Sequence, residues 1–282
     1  MRRIRIITDN SVQFNRSNSQ DSDGYVTLPF NITILNSNPF PIDQPCFGDF
    51  PKSLLPDYSI KIVPPDMDDI LNTVQPRTLI SDDYLILSGS SCLPSIYPNA
   101  VRTVESMHGQ TCIHVLDTLT IHAGLHYLVH EAAALAKNKA DINVVESHIR
   151  GLIPHVYTIL CIPNLSYLAA LGIIDPAQAR VGEMLEFLPV YSMEDGHLIF
   201  LDKFHKIQQV IDYFIDYISE FSTLKHISLI QVETPISLDL VRLFDYLRTK
   251  YSYTEISKYP PSIPLTAMFG PEVFGIIAIE HV

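Results

Sequence analysis

The sequence predicts an α/β protein of two domains, the first built on a mainly parallel sheet with helices on both faces and the second on a mixed sheet. Three observations favour this fold class. Apolar runs of strand length alternate with helical patterns between residues 83 and 139. The chain has 282 residues, which is more than one average domain. Hydrophobic residues make up 47% of the chain and charged residues only 18%, which is typical of a richly apolar globular protein that can bury a large core and also an apolar ligand.

The first domain is predicted to span residues 1–152. Apolar runs bounded by polar turns predict its strands at 4–9, 25–35, 83–89 and 111–118. Pro29 indicates an edge or a break in the second of these strands. Helical spacing predicts helices at 68–74, 97–107, 122–139 and 141–156, of which 122–139 has a strong helical pattern and 141–156 is capped by Asp141. The segments 11–24 and 36–66 are polar or rich in proline and are predicted to be irregular.

The second domain is predicted to span residues 153–282 and to repeat the alternation of strands and helices. A hairpin is predicted over 188–201 because Asp195-Gly196 is a favoured two-residue turn. The remaining predicted strands are 158–162, 226–231 and 274–282, and the predicted helices are 165–171, 176–187, 203–221 and 236–251.

Charge and cysteine usage exclude several classes of protein. The formal net charge of −12 disfavours binding to nucleic acid or to an anionic membrane surface. No window approaches the roughly 18 apolar residues of a membrane span, and polar residues interrupt the N-terminal apolar run, so we expect a soluble cytoplasmic protein. The cysteines form no Cys-x-x-Cys pair, which favours reduced thiols; they are Cys46, Cys92, Cys112 and Cys161.

Motifs for cofactors and nucleophilic catalysis are missing from the sequence. It contains neither a glycine-rich phosphate loop nor a Gly-x-Ser-x-Gly elbow. His122, His126 and His130 recur at helical spacing, but Glu131 is followed by alanines instead of a second histidine ligand. These absences disfavour a nucleotide-dependent enzyme and a metal site, and we expect neither a cofactor nor a metal. A hydrolase or metalloenzyme that uses His122 and His126 is the least favoured hypothesis.

Polar clusters follow three of the predicted strands, and these are the candidate binding residues. Thr8 to Ser11, Ser88 to Ser95 and Asp117-Thr118 each lie at the carboxyl end of a strand, where open α/β sheets bind their ligands. The serine loop, which we define as residues 88–95, also precedes a helix. Small hydroxyls beside a helix N-terminus suit a carboxylate or a phosphate. The alternative is that the same serines only cap the loop.

At these positions the chain resembles the DegV family of fatty-acid-binding proteins, and the resemblance runs over essentially the full length. In the first half, the matching positions are Thr8-Asp9-Asn10-Ser11, Leu28-Pro29, Ser90, Ser91, Leu93, Tyr97, Ala100, Val115 to Thr118 and Gly124. In the second half they are Leu165, Tyr167, Leu168, Gly172, Gly182, Pro189, Asp195-Gly196, Gly270, Pro271 and Gly275. Each motif is short, but their order and spacing together are specific to the family.

The resemblance implies two α/β domains with an elongated apolar pocket between them. It implies a buried acyl chain, a carboxylate held near the serine loop, and a carrier that presents a fatty acid to a separate acyl kinase without a catalytic centre of its own. The ligand-binding residues expected on these grounds are Thr8, Asp9, Ser11, Lys61, Ser90, Ser91, Ser95, Asp117, Thr118, Gly124, Met268 and Gly270.

The chain departs from the family pattern where the head group would bind. Lys61 to Pro64 stand in place of a T-S-Q-P segment, and Pro94 and Ile96 replace a serine and a threonine of the serine loop. Ile173 stands for an arginine and Met268 for a histidine. Each change removes a hydrogen-bond donor or a charge. The alternative hypothesis is therefore a DegV-like fold with a changed ligand or with a role in protein interaction.

Overall fold

A computed structural model describes residues 3–12, 24–36, 41–54, 58–74, 82–107, 112–231 and 238–281. The chain divides into two compact units. The first comprises residues 1–31, 62–154 and 195–197, and the second comprises 32–61, 155–194 and 198–282. The domain boundary predicted after residue 152 stays a prediction. Most of the irregular segment predicted at 11–24 lies outside the described residues.

The described strands and helices are numbered in chain order. The strands are β1 (Ile4–Asp9), β2 (Tyr25–Leu28), β3 (Asn31–Leu35), β4 (Ile42–Asp43), β5 (Ser59–Val63), β6 (Asp83–Ser88), β7 (Ile113–Asp117), β8 (Val156–Cys161), β9 (Leu188–Glu194), β10 (His197–Phe204), β11 (Leu224–Ile230), β12 (Glu255–Tyr259) and β13 (Phe274–Glu280). The helices are α1 (Met67–Val74), α2 (Tyr97–Ser106), α3 (His122–Lys137), α4 (Ile142–Leu152), α5 (Leu165–Ala170), α6 (Pro176–Met184), α7 (Ile207–Ser219), α8 (Leu238–Lys250) and α9 (Ile263–Phe269).

A four-stranded parallel sheet forms the centre of the first unit. Its strand order is β2-β1-β6-β7, and each neighbouring pair runs parallel. Strands β1 and β6 are almost wholly buried, as expected for a parallel sheet covered by helices. The carboxyl ends of β1, β6 and β7 therefore open at one edge, which is where the candidate binding residues lie.

Helices cover both faces of this sheet, which confirms the predicted fold class. Ile7 and Ile86 lie on one face, in a cluster that contains residues of α1 and α2. Ile6 and Leu85 alternate onto the opposite face and are fully buried. Because α3 contacts β1 and β6 and α4 contacts β6, these two helices cover the second face.

Pro29 breaks the second predicted strand in two, which is one of the two alternatives, an edge or a break, expected from the sequence. Residues 25–28 pair with β1, whereas residues 31–35 pair with β4 in a separate three-stranded sheet of order β4-β3-β5. Proline has no N–H to give to a ladder, so the chain leaves the first sheet at this point. The prediction that 36–66 is irregular was wrong for β4 and β5, because β4 has only two residues and the alternating run of β5 has only five.

The second unit is built on a six-stranded mixed sheet, as predicted. Its order is β10-β9-β8-β13-β11-β12. The last strand, β13, lies in the middle and pairs antiparallel with both β8 and β11, while β11 and β12 are parallel. A buried cluster that includes Val210, Phe214 and Leu247 packs α7 and α8 against the sheet.

The predicted hairpin is formed by β9 and β10, and the geometry of its turn explains why Asp195 and Gly196 stand there. Asp195 and Gly196 have φ values of 48° and 82°. Two successive positive φ angles define the type I′ turn that Asp-Gly favours.

Strand β12 and helix α9 were missed by the sequence analysis, because five residues of mixed polarity and a seven-residue helix containing proline give weak periodicity. No helix within the described residues is long and apolar enough to cross a membrane.

Candidate functional site

The carboxyl edge of the parallel sheet, comprising the ends of β1, β6 and β7 and the loops that follow them, brings together most of the predicted binding residues. Nine of the twelve belong to the first unit; these are Thr8, Asp9, Ser11, Ser90, Ser91, Ser95, Asp117, Thr118 and Gly124. Strand register places Ser88 beside Asp117, so the serine loop and the loop after β7 start side by side. The edge is thus assembled from segments far apart in the sequence.

Asp9 ends β1 and organises the turn that follows. It is 1% exposed, and its Oδ1 accepts a hydrogen bond of 3.0 Å from the backbone N–H of Ser11. Burial raises the pKa of the Asp9 carboxyl, while hydrogen bonds from Ser11 and from the backbone of Gly89 oppose that rise. A carboxylate offers no donor to a ligand anion. The contacts of Asp9 therefore support the loop geometry, and its role toward a ligand stays a prediction.

Several polar groups of the serine loop form hydrogen bonds within the protein. The Ser90 hydroxyl donates to the Gly196 carbonyl at 2.6 Å and accepts the Cys92 N–H at 3.1 Å. Ser91 is exposed, and its backbone N–H donates to Asp117 Oδ2 at 3.2 Å. These bonds support the loop-capping alternative for Ser90, which is already saturated as a donor.

The loop after β7 is also held by its own side chains. Asp117 Oδ1 accepts the Leu119 N–H at 2.9 Å, which accommodates the positive φ of 54° at Leu119. The Thr118 hydroxyl donates to the Ser88 carbonyl at 2.7 Å, joining this loop to the serine loop. Gly124 lies in the first turn of α3, where its N–H donates to the Ile121 carbonyl at 3.0 Å.

Three buried hydroxyl oxygens at this edge have no hydrogen-bond partner within the described part of the chain. They belong to Thr8, Ser95 and Thr120, which are 0%, 5% and 3% exposed. Ser95 immediately precedes the residue that caps α2, and Thr120 lies two residues before α3. An unsatisfied buried hydroxyl costs about 1–3 kcal/mol. The sequence analysis missed Thr120, although its position after β7 and before a helix matches that of Ser95.

The other three predicted residues belong to the second unit. Lys61 is exposed on β5, and Met268 is buried in α9. Gly270 has a φ of 85°, and a Cβ there would collide with Asn164. The Asn164 side chain bonds the Lys52 carbonyl at 2.6 Å and the Glu272 N–H at 3.0 Å, so the glycine is needed for local packing. Ligand contacts by these three residues stay predictions.

An open apolar cavity of about 720 Å³ lies within the second unit. Most of its wall is aliphatic or aromatic; the lining residues used below are Leu165, Ile173, Ala177, Gly182, Phe187, Pro189, Tyr191 and Lys203. Three of them, Leu165, Gly182 and Pro189, are positions at which the sequence matches the DegV pattern. A fourth, Ile173, stands where that pattern has an arginine. A Cβ at Gly182 would overlap Leu165, so this glycine permits the close approach of α5 and α6 that shapes the cavity.

Three side chains give the cavity wall its polar groups, those of Gln178, Tyr191 and Lys203. Lys203 is the single charged side chain among the described lining residues, and its Nζ lies 4.3 Å from the centroid of the Phe187 ring. Tyr191 is buried, and burial raises the pKa of its phenol to about 12, so the group is neutral at physiological pH. The cavity thus offers an apolar wall with one cation.

The histidines of α3 make ring contacts with each other and with β2. The rings of His126 and His130 lie 4.3 Å apart between centroids, and His130 packs edge-on against Tyr25 at 5.5 Å. The part of the chain that the structure describes holds no group of three histidine, cysteine or acidic side chains arranged to hold a metal ion. These contacts give the histidine stripe a packing role.

Fold and site define the class of protein: a two-unit α/β chain with hydroxyls at the carboxyl edge of a parallel sheet and an open apolar cavity in a mixed-sheet unit. The model of the DegV family, described as "Uncharacterised protein, DegV family", matches residues 3–281. The chain belongs to the DegV family, which confirms the resemblance noted in the sequence.

Relatives and solved structures agree with this assignment. A DegV domain-containing protein of Caldanaerobacter subterraneus subsp. tengcongensis is 26% identical over 207 residues, 72% of each chain. The structure of a fatty-acid-binding DegV family protein from Thermus thermophilus is similar with a TM-score of 0.79 and 15% identity, covering 99% of this chain and 100% of that one. The B3 protein of the Streptococcus pneumoniae fatty acid kinase, loaded with linoleic acid, has a TM-score of 0.78 and 15% identity over 99% of this chain and 100% of that chain.

Proposed function

We propose that the protein binds one long-chain fatty acid and carries it to a fatty acid kinase without chemistry of its own. The observation that carries this proposal is the apolar cavity of about 720 Å³ in the second unit. That volume falls in the range of about 300–1,000 Å³ typical of small-molecule sites. Burial of an acyl chain gains about 0.8 kcal/mol per methylene, so an apolar wall supplies affinity with few polar contacts.

The carboxyl edge of the parallel sheet supports a carboxylate head group. Thr8, Ser95 and Thr120 keep buried hydroxyls that the described residues leave without partners. A hydrogen bond to a charged group contributes about 1.5–3 kcal/mol, enough to offset the cost of burying such hydroxyls. This set differs from the one expected from sequence, because Ser90 is engaged by Gly196 and Thr120 was not foreseen. The predicted course of the acyl chain between the two domains stays a prediction.

Similar structures supply independent support for the ligand class. Besides the linoleic acid complex, a DegV family protein from Eubacterium eligens loaded with heptadecanoic acid has a TM-score of 0.78 and 12% identity, covering 99% of this chain and 100% of that one. These ligands share a carboxylate and a long acyl chain. We extend that chemistry to this chain because its cavity and its buried hydroxyls offer the two environments that such a molecule requires.

The test is extraction of the purified protein with organic solvent, followed by mass spectrometry and by titration with palmitate and oleate. We expect a co-purifying fatty acid or saturable binding of an added one. If the extract holds no lipid and neither ligand binds to delipidated protein, the proposal is wrong. Ala177→Phe, which narrows the cavity, serves as the matched variant, because Ala177 lines the wall at an exposed position that tolerates a larger side chain.

The carrier role rests on the similarity to a fatty acid kinase B protein and is tested separately. Purified protein loaded with oleate is mixed with a fatty acid kinase catalytic subunit and ATP. Formation of an acyl phosphate supports the role. Binding of oleate without phosphate transfer would separate lipid binding from kinase partnership.

A lipid without an anionic head group is the second candidate ligand. Ile96 is fully buried in the apolar cluster between the parallel sheet, α1 and α2, and Met268 is 5% exposed in α9. Both stand where the family places polar residues, so neither offers a donor to a carboxylate. The same extract decides between the candidates, since a neutral lipid in place of a fatty acid would establish the changed ligand.

A further inference from the structure

A thiol, an imidazole and a carboxylate line up at the end of β7 opposite to the carboxyl edge described above. Cys112 immediately precedes β7, and His114 is the second residue of that strand. Ile113 packs in the apolar cluster formed with α1 and α2. Because side chains alternate along a strand, Cys112 and His114 share the other face, toward α4. The backbone fixes this placement, since the Tyr84 N–H donates to the Cys112 carbonyl at 2.9 Å.

The imidazole of His114 connects the other two groups. Its Nε2 lies 3.4 Å from the Cys112 Sγ, and its Nδ1 hydrogen-bonds Glu146 Oε2 in α4. Glu146 Oε1 in turn accepts hydrogen bonds from Arg150 Nε at 2.8 Å and from its NH2 group at 2.7 Å. The arrangement is that of a nucleophile, a base and a group that orients the base.

The charge of Glu146 suits this arrangement. Partial burial raises the pKa of the Glu146 carboxyl, but the hydrogen bonds from His114 and Arg150 outweigh it, so the pKa is lowered and the group is ionised at neutral pH. An anionic acceptor holds the proton of His114 on Nδ1, which leaves Nε2 with a lone pair directed at the thiol. The side chains of His114 and Glu146 are 25% and 17% exposed, so the site is partly sheltered but open to small molecules.

The remaining cysteines lack this combination. Cys161 is buried, and burial raises the pKa of its thiol. Cys92 is exposed, with its Sγ 3.3 Å from His197 Nε2, but the structure records no carboxylate on the other nitrogen of that ring within the described residues. Cys46 is exposed in a short turn, where its N–H donates to Asp49. One chain therefore holds four thiols in four different environments.

We propose that Cys112 is a nucleophilic thiol, activated by His114 and Glu146, that forms mixed disulfides with low-molecular-weight disulfides. The thiol proton moves to His114 Nε2, and the Cys112 sulfur attacks one sulfur of the disulfide. The old S–S bond breaks, a new one joins Cys112 to half of the reagent, and the other half leaves as a thiolate that takes the proton from the imidazolium. The reagent is the oxidant, so the step balances. The site does not depend on the proposed lipid function.

The test follows the reaction of the reduced full-length protein with 2-hydroxyethyl disulfide, a small and uncharged probe, at neutral pH. Peptide mass spectrometry measures the rate at each cysteine, and each rate is divided by that of the guanidinium-unfolded chain. We expect the ratio for Cys112 to exceed one and to be the largest of the four, with Cys161 unreactive. A ratio for Cys112 at or below that of Cys46 would overturn the proposal without any variant.

Substitutions then separate activation from simple exposure. His114→Gln is expected to slow Cys112 by about tenfold, because an unactivated thiol is already a few per cent thiolate at neutral pH and a more acidic thiolate is a weaker nucleophile. Glu146→Gln keeps the imidazole but removes the carboxylate that orients it, and is expected to slow Cys112 by about threefold. The matched control is Glu131→Gln, which removes the carboxylate of another histidine pair, Glu131 with His148, and should leave the Cys112 rate unchanged. Wild-type rates in both His114→Gln and Glu146→Gln would refute the activation.

Discussion

The carboxyl edge of the parallel sheet and the apolar cavity of the second unit offer two contrasting environments. At the edge, Asp9, Ser90 and Asp117 bond backbone groups of their own loops, and only a few hydroxyls are left for a ligand. The cavity is broad and apolar, with Lys203 as the single charged group among its described lining residues. Under the proposed function, this contrast predicts that burial of the acyl chain supplies most of the affinity and that a few hydroxyls select the head group.

The largest expected effect is on chain length. Palmitate has about six methylenes more than decanoate, which corresponds to about 5 kcal/mol of transfer free energy at 0.8 kcal/mol each. We therefore expect decanoate to bind the delipidated protein about 4,000-fold more weakly in isothermal titration. Equal affinities for both acids would show that burial of the acyl chain in the cavity is not the main source of binding energy, and would contradict the contrast between cavity and edge.

A substitution that narrows the cavity also tests whether the cavity binds the acyl chain. Ala177→Phe is expected to weaken palmitate binding by about 10- to 100-fold, because the added ring occupies space that the ligand would fill, a change of about 1–3 kcal/mol. The control is Ala170→Phe, since Ala170 is an exposed residue of α5 outside the cavity lining. A similar loss in both variants would point to a general surface effect.

The hydroxyls of the carboxyl edge should give a smaller effect. Thr8→Val, Ser95→Ala and Thr120→Val are each expected to weaken palmitate binding by about tenfold while raising the unfolding free energy of the ligand-free protein by about 1 kcal/mol. Thr158→Val is the matched control, because Thr158 in β8 also has a buried hydroxyl without a partner among the described residues.

The control separates stability from binding. Thr158→Val should stabilise the protein without any change in palmitate affinity. If it weakens binding as much as the three edge variants do, the edge has no special part in holding the head group. A charge test at the cavity sharpens the point, since Lys203→Met should matter less than the edge variants when the carboxylate is held by hydroxyls.

The smallest effect concerns the charge of Asp9. Burial raises the folded-state pKa of this carboxyl above its ordinary value of 3.8, so the folded protein holds the proton more tightly than the unfolded chain. The contribution of Asp9 to stability is therefore present at low pH and lost as the pH rises through the folded-state pKa. Asn lacks this titration, so the stability of Asp9→Asn relative to wild type should increase as the pH rises above about 4.

Urea unfolding at a series of pH values measures that difference. Asn keeps an oxygen that accepts the Ser11 N–H, so the loop geometry should persist. A pH-independent difference would show that Asp9 is not destabilised by its burial. Burial of the ionised Asp9 carboxylate at the carboxyl edge would then cost little free energy.

Most of the fold could be predicted from the sequence, because long apolar runs and clear turns carry strong signals. The strand 83–88, the helix α3 and the Asp195-Gly196 turn all follow from local patterns. Strands β4, β5 and β12 could not be predicted, since short or mixed strands are stabilised by their neighbours in the sheet and not by their own sequence.

The site was only partly predictable for a related reason. Sequence places Ser90 and Ser95 in the same loop, but it does not show that Ser90 is engaged by the Gly196 carbonyl, a residue 106 positions away. The cluster of Cys112, His114 and Glu146 was also invisible, because the carboxylate comes from α4, 32 residues beyond the histidine. Such pairings depend on tertiary contacts that no local motif encodes.

The central position of β13 has a consequence for how the protein is made. This strand leaves the ribosome after every other described strand of its sheet, yet it separates β8 from β11 and pairs with both. The sheet of the second unit cannot close on the nascent chain until residues 274–280 are available. Until then β8, β9 and β10 can pair only with one another and β11 only with β12, so the facing edges of β8 and β11 stay unpaired while the rest of the sheet is synthesised.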